Sequence, residues 1–182
     1  MSDIEHLLTR LEVVEEKLER LYEHLGLLEE TDVKRNETGE YMIKVFYPGV
    51  YFMFDNLVAA FPKNRRRLAS MIQPGSFMFL YVTSPEKKII GLAEVTGYAQ
   101  KQDDPRWPYC VPLKMVLGPK SVGVTFRDLG LEIRPRIGDT LFAVSEEKAQ
   151  EIINFLKNQP DLDDESLEML KKRYASYYKK DE

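Results

Sequence analysis

Apolar residues recur near the start of the chain with the alternating spacing of three and four that a helix seam requires. Ile4, Leu7, Leu11, Val14, Leu18, Leu21, Leu25 and Leu28 fill every a and d position of four heptads, which predicts a coiled-coil helix over residues 3–29. Arg10 at a g position can reach Glu15 at the e position of a parallel partner helix. Self-association through residues 3–29 is the expectation, because four strict heptads exceed what packing on one small domain needs. Leu8 and Val13 lie off the seam and keep a second reading open, an amphipathic helix packed on its own domain. Leucine at most a positions does not decide dimer against tetramer.

The periodicity then stops. Asp32, Lys34, Arg35, Asn36 and Gly39 make residues 31–40 polar and linker-like. Beyond them, strands are expected at 41–46, 50–54, 77–82, 89–96, 109–117, 122–126 and 140–144, with a short helix at 63–72. Phe77-Met78-Phe79-Leu80-Tyr81-Val82 is too apolar for a sheet wet on one face, so a closed or nearly closed barrel is predicted. Ser145 followed by Glu146 and Glu147 starts a helix that buries Ile152, Ile153 and Leu156 and ends at Pro160. A last helix over 163–179 aligns Leu167, Leu170 and Tyr174. The boundaries expected are thus a coiled-coil helix at 1–30, a linker at 31–40, a barrel at 41–158 and a C-terminal helix at 159–182.

Composition narrows the chemistry. A hydrophobic content of 43% over 182 residues suits one core with helical extensions. The formal charge of -4 conceals a gradient: residues 1–40 carry 5 basic against 12 acidic side chains, residues 145–182 carry 7 against 10, and residues 41–144 carry 14 against 8. A basic centre between acidic flanks is compatible with phosphate contact. Cys110 is the single cysteine, and both histidines, His6 and His24, lie in the heptad segment, so no metal site and no Ser/His or Cys/His hydrolase is expected. Gly118-Pro119-Lys120-Ser121 reads as a turn between strands and not as a phosphate loop. No apolar run spans a bilayer and the chain opens straight into charged sequence, so no membrane is expected and the location expected is cytoplasmic.

One stretch carries a family likeness. In order come Tyr51-Phe52-Met53-Phe54-Asp55-Asn56, the basic turn Phe61-Pro62-Lys63-Asn64-Arg65-Arg66-Arg67, Ile72-Gln73-Pro74-Gly75, the strand Gly91-Leu92-Ala93-Glu94-Val95 and the loop ending Trp107-Pro108-Tyr109. This order, closed by Val144-Ser145-Glu146-Glu147-Lys148, resembles the EVE and YTH domains, both PUA-like folds that bind modified bases in nucleic acid. The resemblance implies an α+β fold, a PUA-like mixed β-barrel with flanking helices, here with an N-terminal coiled-coil helix added. Carried over by position, it points to a base pocket formed by Phe54, Asp55, Asn56 and Val58 with Tyr98, Asp103, Asp104, Trp107 and Tyr109. Val58 stands where the first tryptophan of the YTH cage belongs.

A flipped base has two π faces that need aromatic or apolar walls and an edge that needs placed donors and acceptors. Trp107, Tyr98 and Tyr109 can supply walls, and Asn56, Asp55, Asp103 and Asp104 can read the edge; Asp103 and Asp104 before Pro105 are also ordinary turn residues. Lys63, Arg65, Arg66 and Arg67 are the phosphate-binding candidates, although three consecutive arginines on a helix fan over about 200° and cannot all face one strand. The function expected is a non-enzymatic reader of a modified, methylated base, extruded from DNA or unpaired in RNA, with no cofactor. Similar domains serve modification-dependent restriction systems, so a motor or nuclease partner elsewhere is implied unless the reader stands alone. Two alternatives stay open: a PUA-like small-ligand or modified-nucleoside hydrolase using Glu94, Lys114 or Asp104, and a scaffold whose coiled coil is the function.

Overall fold

Heptad spacing produces a helix here. The structure, a computed structural model, describes residues 3–24, 32–136 and 138–178 and divides into two units, Met1–Asp32 and Val33–Glu182. In the first unit α1 spans Asp3–His24. Asp3 and Glu5 in its first turn oppose the positive end of the helix dipole, and Glu16 pairs with Arg20 one turn on. The seam is exposed, from 69% at Ile4 to 43% at Leu18, and so are the off-seam residues Leu8 and Val13. Leu25 and Leu28 of the heptad pattern lie outside the described residues. Among the described residues no helix is long and apolar enough to cross a membrane.

The second unit is built on one twisted sheet. Its strands are β1 Val33–Arg35, β2 Tyr41–Phe46, β3 Val58–Phe61, β4 Phe77–Val82, β5 Lys88–Val95, β6 Gln100–Lys101, β7 Tyr109–Leu117 and β8 Leu141–Val144. They lie in the order β1-β8-β2-β4-β5-β7-β3, with β6 added on β7. β2 and β4 run parallel, and the remaining pairs are antiparallel. The path ends at β1 and β3 without returning, so the expectation of a closed barrel is corrected to an open α+β sheet.

The apolar runs that suggested closure are satisfied by layers instead. Met42, Phe46, Leu80, Ile90 and Val111 face one core, shared with Tyr51, Leu57, Phe61, Leu68 and Tyr174. Ile43, Phe79, Tyr81, Ile89 and Phe142 face a second core, against Phe126 and the helix α3 (Glu146–Lys157), which contributes Ala149, Ile152 and Leu156. Tyr81 and Phe126 stack with centroids 4.4 Å apart. Covering both faces removes the same water that closure would have removed.

Helix ends follow the residue chemistry. The Ser145 side chain accepts from the Lys148 N–H to cap α3, and Asp163 accepts from Ser166 N–H at 2.6 Å to cap α4 (Asp164–Arg173). The single last helix expected over 163–179 breaks at Tyr174 and resumes as α5 (Ala175–Tyr178). Tyr174 is buried there, stacked on Tyr51 at 5.9 Å and donating its hydroxyl to Glu86 at 2.5 Å.

Four other expectations change. Residues 50–54 are not a strand: Pro48, with fixed φ and no N–H, opens a 3-10 turn over Pro48–Phe52, followed by another at Phe54–Asn56. The strand expected at 122–126 reduces to a single bridge between Val124 and Ile89, because Gly123 turns the backbone at φ +77. The helix expected at 63–72 is a 3-10 turn at Lys63–Arg65 and α2 at Arg66–Ser70. Inside the segment expected to be a linker, β1 pairs with β8.

Gly91 sits where β5 passes closest to β7. A Cβ there would lie 2.7 Å from the Leu117 carbonyl oxygen, a backbone atom with no freedom to retreat. Gly91→Ala is expected to lower stability by roughly 1 to 3 kcal/mol, read as a shifted urea midpoint at unchanged m-value.

Candidate functional site

The 3-10 connection after β2 and the loop after β6 meet over a cavity of about 580 Å³. Its lining comes wholly from the second unit and includes Lys44, Tyr47, Val58, Asp104, Trp107 and Thr140. The volume falls within the range of about 300 to 1,000 Å³ common to small-ligand sites.

Local hydrogen bonds hold Trp107 at this cavity. Asp104 Oδ1 accepts the backbone N–H groups of Arg106 and Trp107 at 2.9 and 3.0 Å, an Asx-type turn. Gln102 Nε2 donates to the Trp107 carbonyl at 2.5 Å, and the Gln102 N–H donates to the Pro108 carbonyl at 2.9 Å. The indole therefore projects from a closed turn and is only half-buried. Tyr47 stands across from it, 5.9 Å away at 58°, with its ring half exposed. The Arg106 guanidinium lies 5.3 Å from the Trp107 ring and 5.9 Å from that of Tyr47. Two aromatic planes thus border the cavity, with a planar cation against both rings, and such planes are surfaces on which a nucleobase can stack.

The opposite character appears at Lys44. Its side chain belongs to the β2 face that carries Met42 and Phe46, and the residue is 3% exposed. Nζ donates to the Val45 carbonyl at 2.8 Å and lies 5.1 and 4.9 Å from the Phe46 and Phe61 ring centroids. Burial lowers its pKa from 10.5 to about 7, since the ammonium loses its water; the two rings offset part of that loss by cation–π attraction. The Val45 N–H donates to the Thr140 carbonyl at 2.9 Å, which seats Thr140 beside this strand, and Thr140 Oγ1 is buried without a hydrogen-bond partner among the described residues.

Of the residues singled out in the sequence, Val58, Asp104 and Trp107 line the cavity. Phe54 does not; it packs edge-on against Tyr51 at 6.0 Å. Asp55, Asn56, Tyr98 and Asp103 are exposed and are not part of the lining, and Tyr109 is half-buried beneath Arg66, whose guanidinium lies 5.9 Å from its ring. The three arginines separate: Arg65 turns inward and donates to the Gly138 carbonyl at 3.1 Å, while Arg66 and Arg67 stay exposed, as does Lys63. Glu94 and Lys114 face each other across β5 and β7, away from the lining; Asp104 is on it but already accepts two N–H groups. Lys44, Tyr47, Gln102, Arg106 and Thr140 were missed. A lysine in the apolar run Tyr41-Met42-Ile43-Lys44-Val45-Phe46, on the face of Met42 and Phe46, was the available signal for the first of them.

The sequence matches no family model, and no curated protein matches it. Among solved structures the chain is similar to protein Atu2648 from Agrobacterium tumefaciens, at 18% identity and TM-score 0.49, over 68% of this chain and 99% of that one. It is similar to ASCH from Zymomonas mobilis, at 11% identity and TM-score 0.47, over 68% of this chain and 99% of that one. It is also similar to the YTH domain of the Zygosaccharomyces rouxii MRB1 protein in complex with N6-methyladenosine RNA, at 14% identity and TM-score 0.46, over 69% and 93% of the two chains. Residue roles in this chain come from its own cavity.

Lys44 makes a testable demand on stability. Between about pH 7 and pH 10.5 the unfolded chain holds a proton that the folded chain has released, so stability should rise with pH across that window. Below it both states are charged and the full penalty of the buried ammonium applies. Lys44→Met is therefore expected to be more stable than the parent by about 2 to 4 kcal/mol near neutral pH, an advantage that fades toward the upper end of the window. Urea denaturation at several pH values reads both effects.

Proposed function

We propose that the Val33–Glu182 unit is a nucleic-acid reader that takes one modified base, unpaired or extruded, into the cavity beside Trp107. The observation that carries this reading is the combination at one cavity of Trp107 and Tyr47 as stacking surfaces, with Arg106 against both rings and room for a single ring system. Met53, Val58, Ala60 and Pro62 supply apolar lining against which a methyl substituent can pack. Arg66, Arg67 and Lys63 are exposed cations on the segment that follows β3 and suit backbone phosphate, whereas Arg65 is committed to Gly138.

Trp107→Ala is expected to weaken binding to short single-stranded oligonucleotides by about 1 to 3 kcal/mol through lost stacking, with an unchanged unfolding midpoint because the side chain is half exposed. Replacing Arg66 and Arg67 together by Ala should weaken binding alike across sequences and reduce the slope of log affinity against log salt by about 1 to 2. Fluorescence anisotropy against a panel of unmodified and methylated strands, over a range of salt, measures both. Normal binding by a folded Trp107→Ala protein would remove the cavity from the account.

We also propose that α1 pairs the chain with a second copy, because the exposed a and d residues form one unbroken seam and Arg10 and Glu15 complement each other between parallel helices. Replacing Leu11 and Leu18 by Glu should bring the mass measured by light scattering down to that of one chain. A parent protein that is already monomeric at tens of micromolar, about the range where four-heptad coils pair, would sink this idea.

A further inference from the structure

The lining of the cavity contains a buried donor that stacking on Trp107 leaves unused. Lys44 is buried and lines the cavity. Lys44 Nζ places one hydrogen on the Val45 carbonyl. An ammonium has three donors and no acceptor, so it retains hydrogens for a ligand.

The acidic groups that could have neutralised Lys44 are engaged elsewhere. Asp139 is paired with Arg35 and accepts the Arg136 N–H at 2.7 Å, and Asp104 accepts the N–H groups of Arg106 and Trp107. Tyr47 and Tyr177 are the other titratable residues on the lining. Among the described residues Lys44 forms no ion pair, on a lining where a buried cation is most costly. A ligand oxygen supplies what the protein withholds.

We propose that Lys44 reads an oxygen on the inserted base, so that the cavity selects bases whose buried edge carries a carbonyl or carboxylate over those whose edge carries an amino group. An oxygen can accept a charge-assisted hydrogen bond from the ammonium. An amino group would set its own hydrogens against the ammonium and leave the donors unpaired in a dry site, which is the stronger half of the discrimination. The proposal rests on the reader function and names the class of base that function would serve. It also links binding to protons. Above about pH 7, where the empty site has released the Lys44 proton, an oxygen-bearing base must draw one back, and affinity for it falls as pH rises. The other titratable groups on the lining with Lys44 are Asp104, Asp139, Tyr47 and Tyr177.

The experiment compares strands identical but for one unpaired position, uracil against cytosine and guanine against adenine, in anisotropy titrations with the full chain. At about pH 6 the oxygen-bearing member of each pair should bind at least about tenfold tighter, with the advantage shrinking as pH rises past 7. Lys44→Met should bring the oxygen-bearing strands down to the affinity of their amino counterparts. Calorimetry at about pH 8 in buffers of different ionisation enthalpy should show proton uptake with the uracil strand and none in Lys44→Met. Equal affinities within each pair, or a preference that survives in folded Lys44→Met, overturn this inference while binding that still depends on Trp107 keeps the reader function. If none of the four strands binds the parent chain, the reader function fails and this inference falls with it.

Discussion

A sheet whose central strands are apolar on both faces has to be covered twice, and the rest of the second unit follows from that constraint. β4 is buried at five of its six positions and β5 at six of eight. On one face α3 and the segment around Phe126 exclude water, with the 4.4 Å stack of Tyr81 on Phe126 at the join. On the other face the cover is assembled from the 3-10 connection of residues 48–56, α2 and the buried Tyr174, which clamps Tyr51 from above through ring stacking. Both layers remove apolar surface from water, but the second does so with short turns, which tile a sheet less completely than a regular helix does.

The cavity is a product of that irregular cover. Tyr47 and Met53 come from the 3-10 connection, Trp107 from the turn closed by Asp104, and Lys44 from the strand beneath. A lysine at 3% exposure is an expensive choice for a core position, since an apolar side chain would pack there without losing hydration. The sheet tolerates it because two phenylalanine rings and a carbonyl surround the amine and because the cavity beside it admits a partner. The same residue thus weakens the fold and gives the cavity its polarity, an arrangement characteristic of sites whose chemistry is retained against stability.

Charge is arranged on the same plan. The carboxylates near the cavity serve structure: Asp104 shapes the Trp107 turn, and Asp139 holds the turn before β8 through Arg35 and the Arg136 N–H. Among the described residues Arg66, Arg67 and Arg106 form no ion pair, although the whole chain carries a net charge of -4.

The sequence by itself determined the elements whose signal is local. The heptads foretold α1, strands β2, β4 and β7 lie where their apolar runs do, and the Ser145 and Asp163 caps start their helices because a side-chain oxygen and a free N–H two or three residues apart need nothing else. Trp107 and Asp104, singled out in the sequence, lie on the cavity lining. Tertiary structure alone decided the rest. Periodicity reports that a strand is buried on two faces and is silent on whether closure or layering buries it, so the open sheet was not readable. β1 and β3 are too short to declare themselves and exist because β8 and β7 offer them a partner. Lys44 and Trp107 are distant in sequence and reach one cavity only through tertiary packing, and no local pattern can announce a neighbour that another element brings.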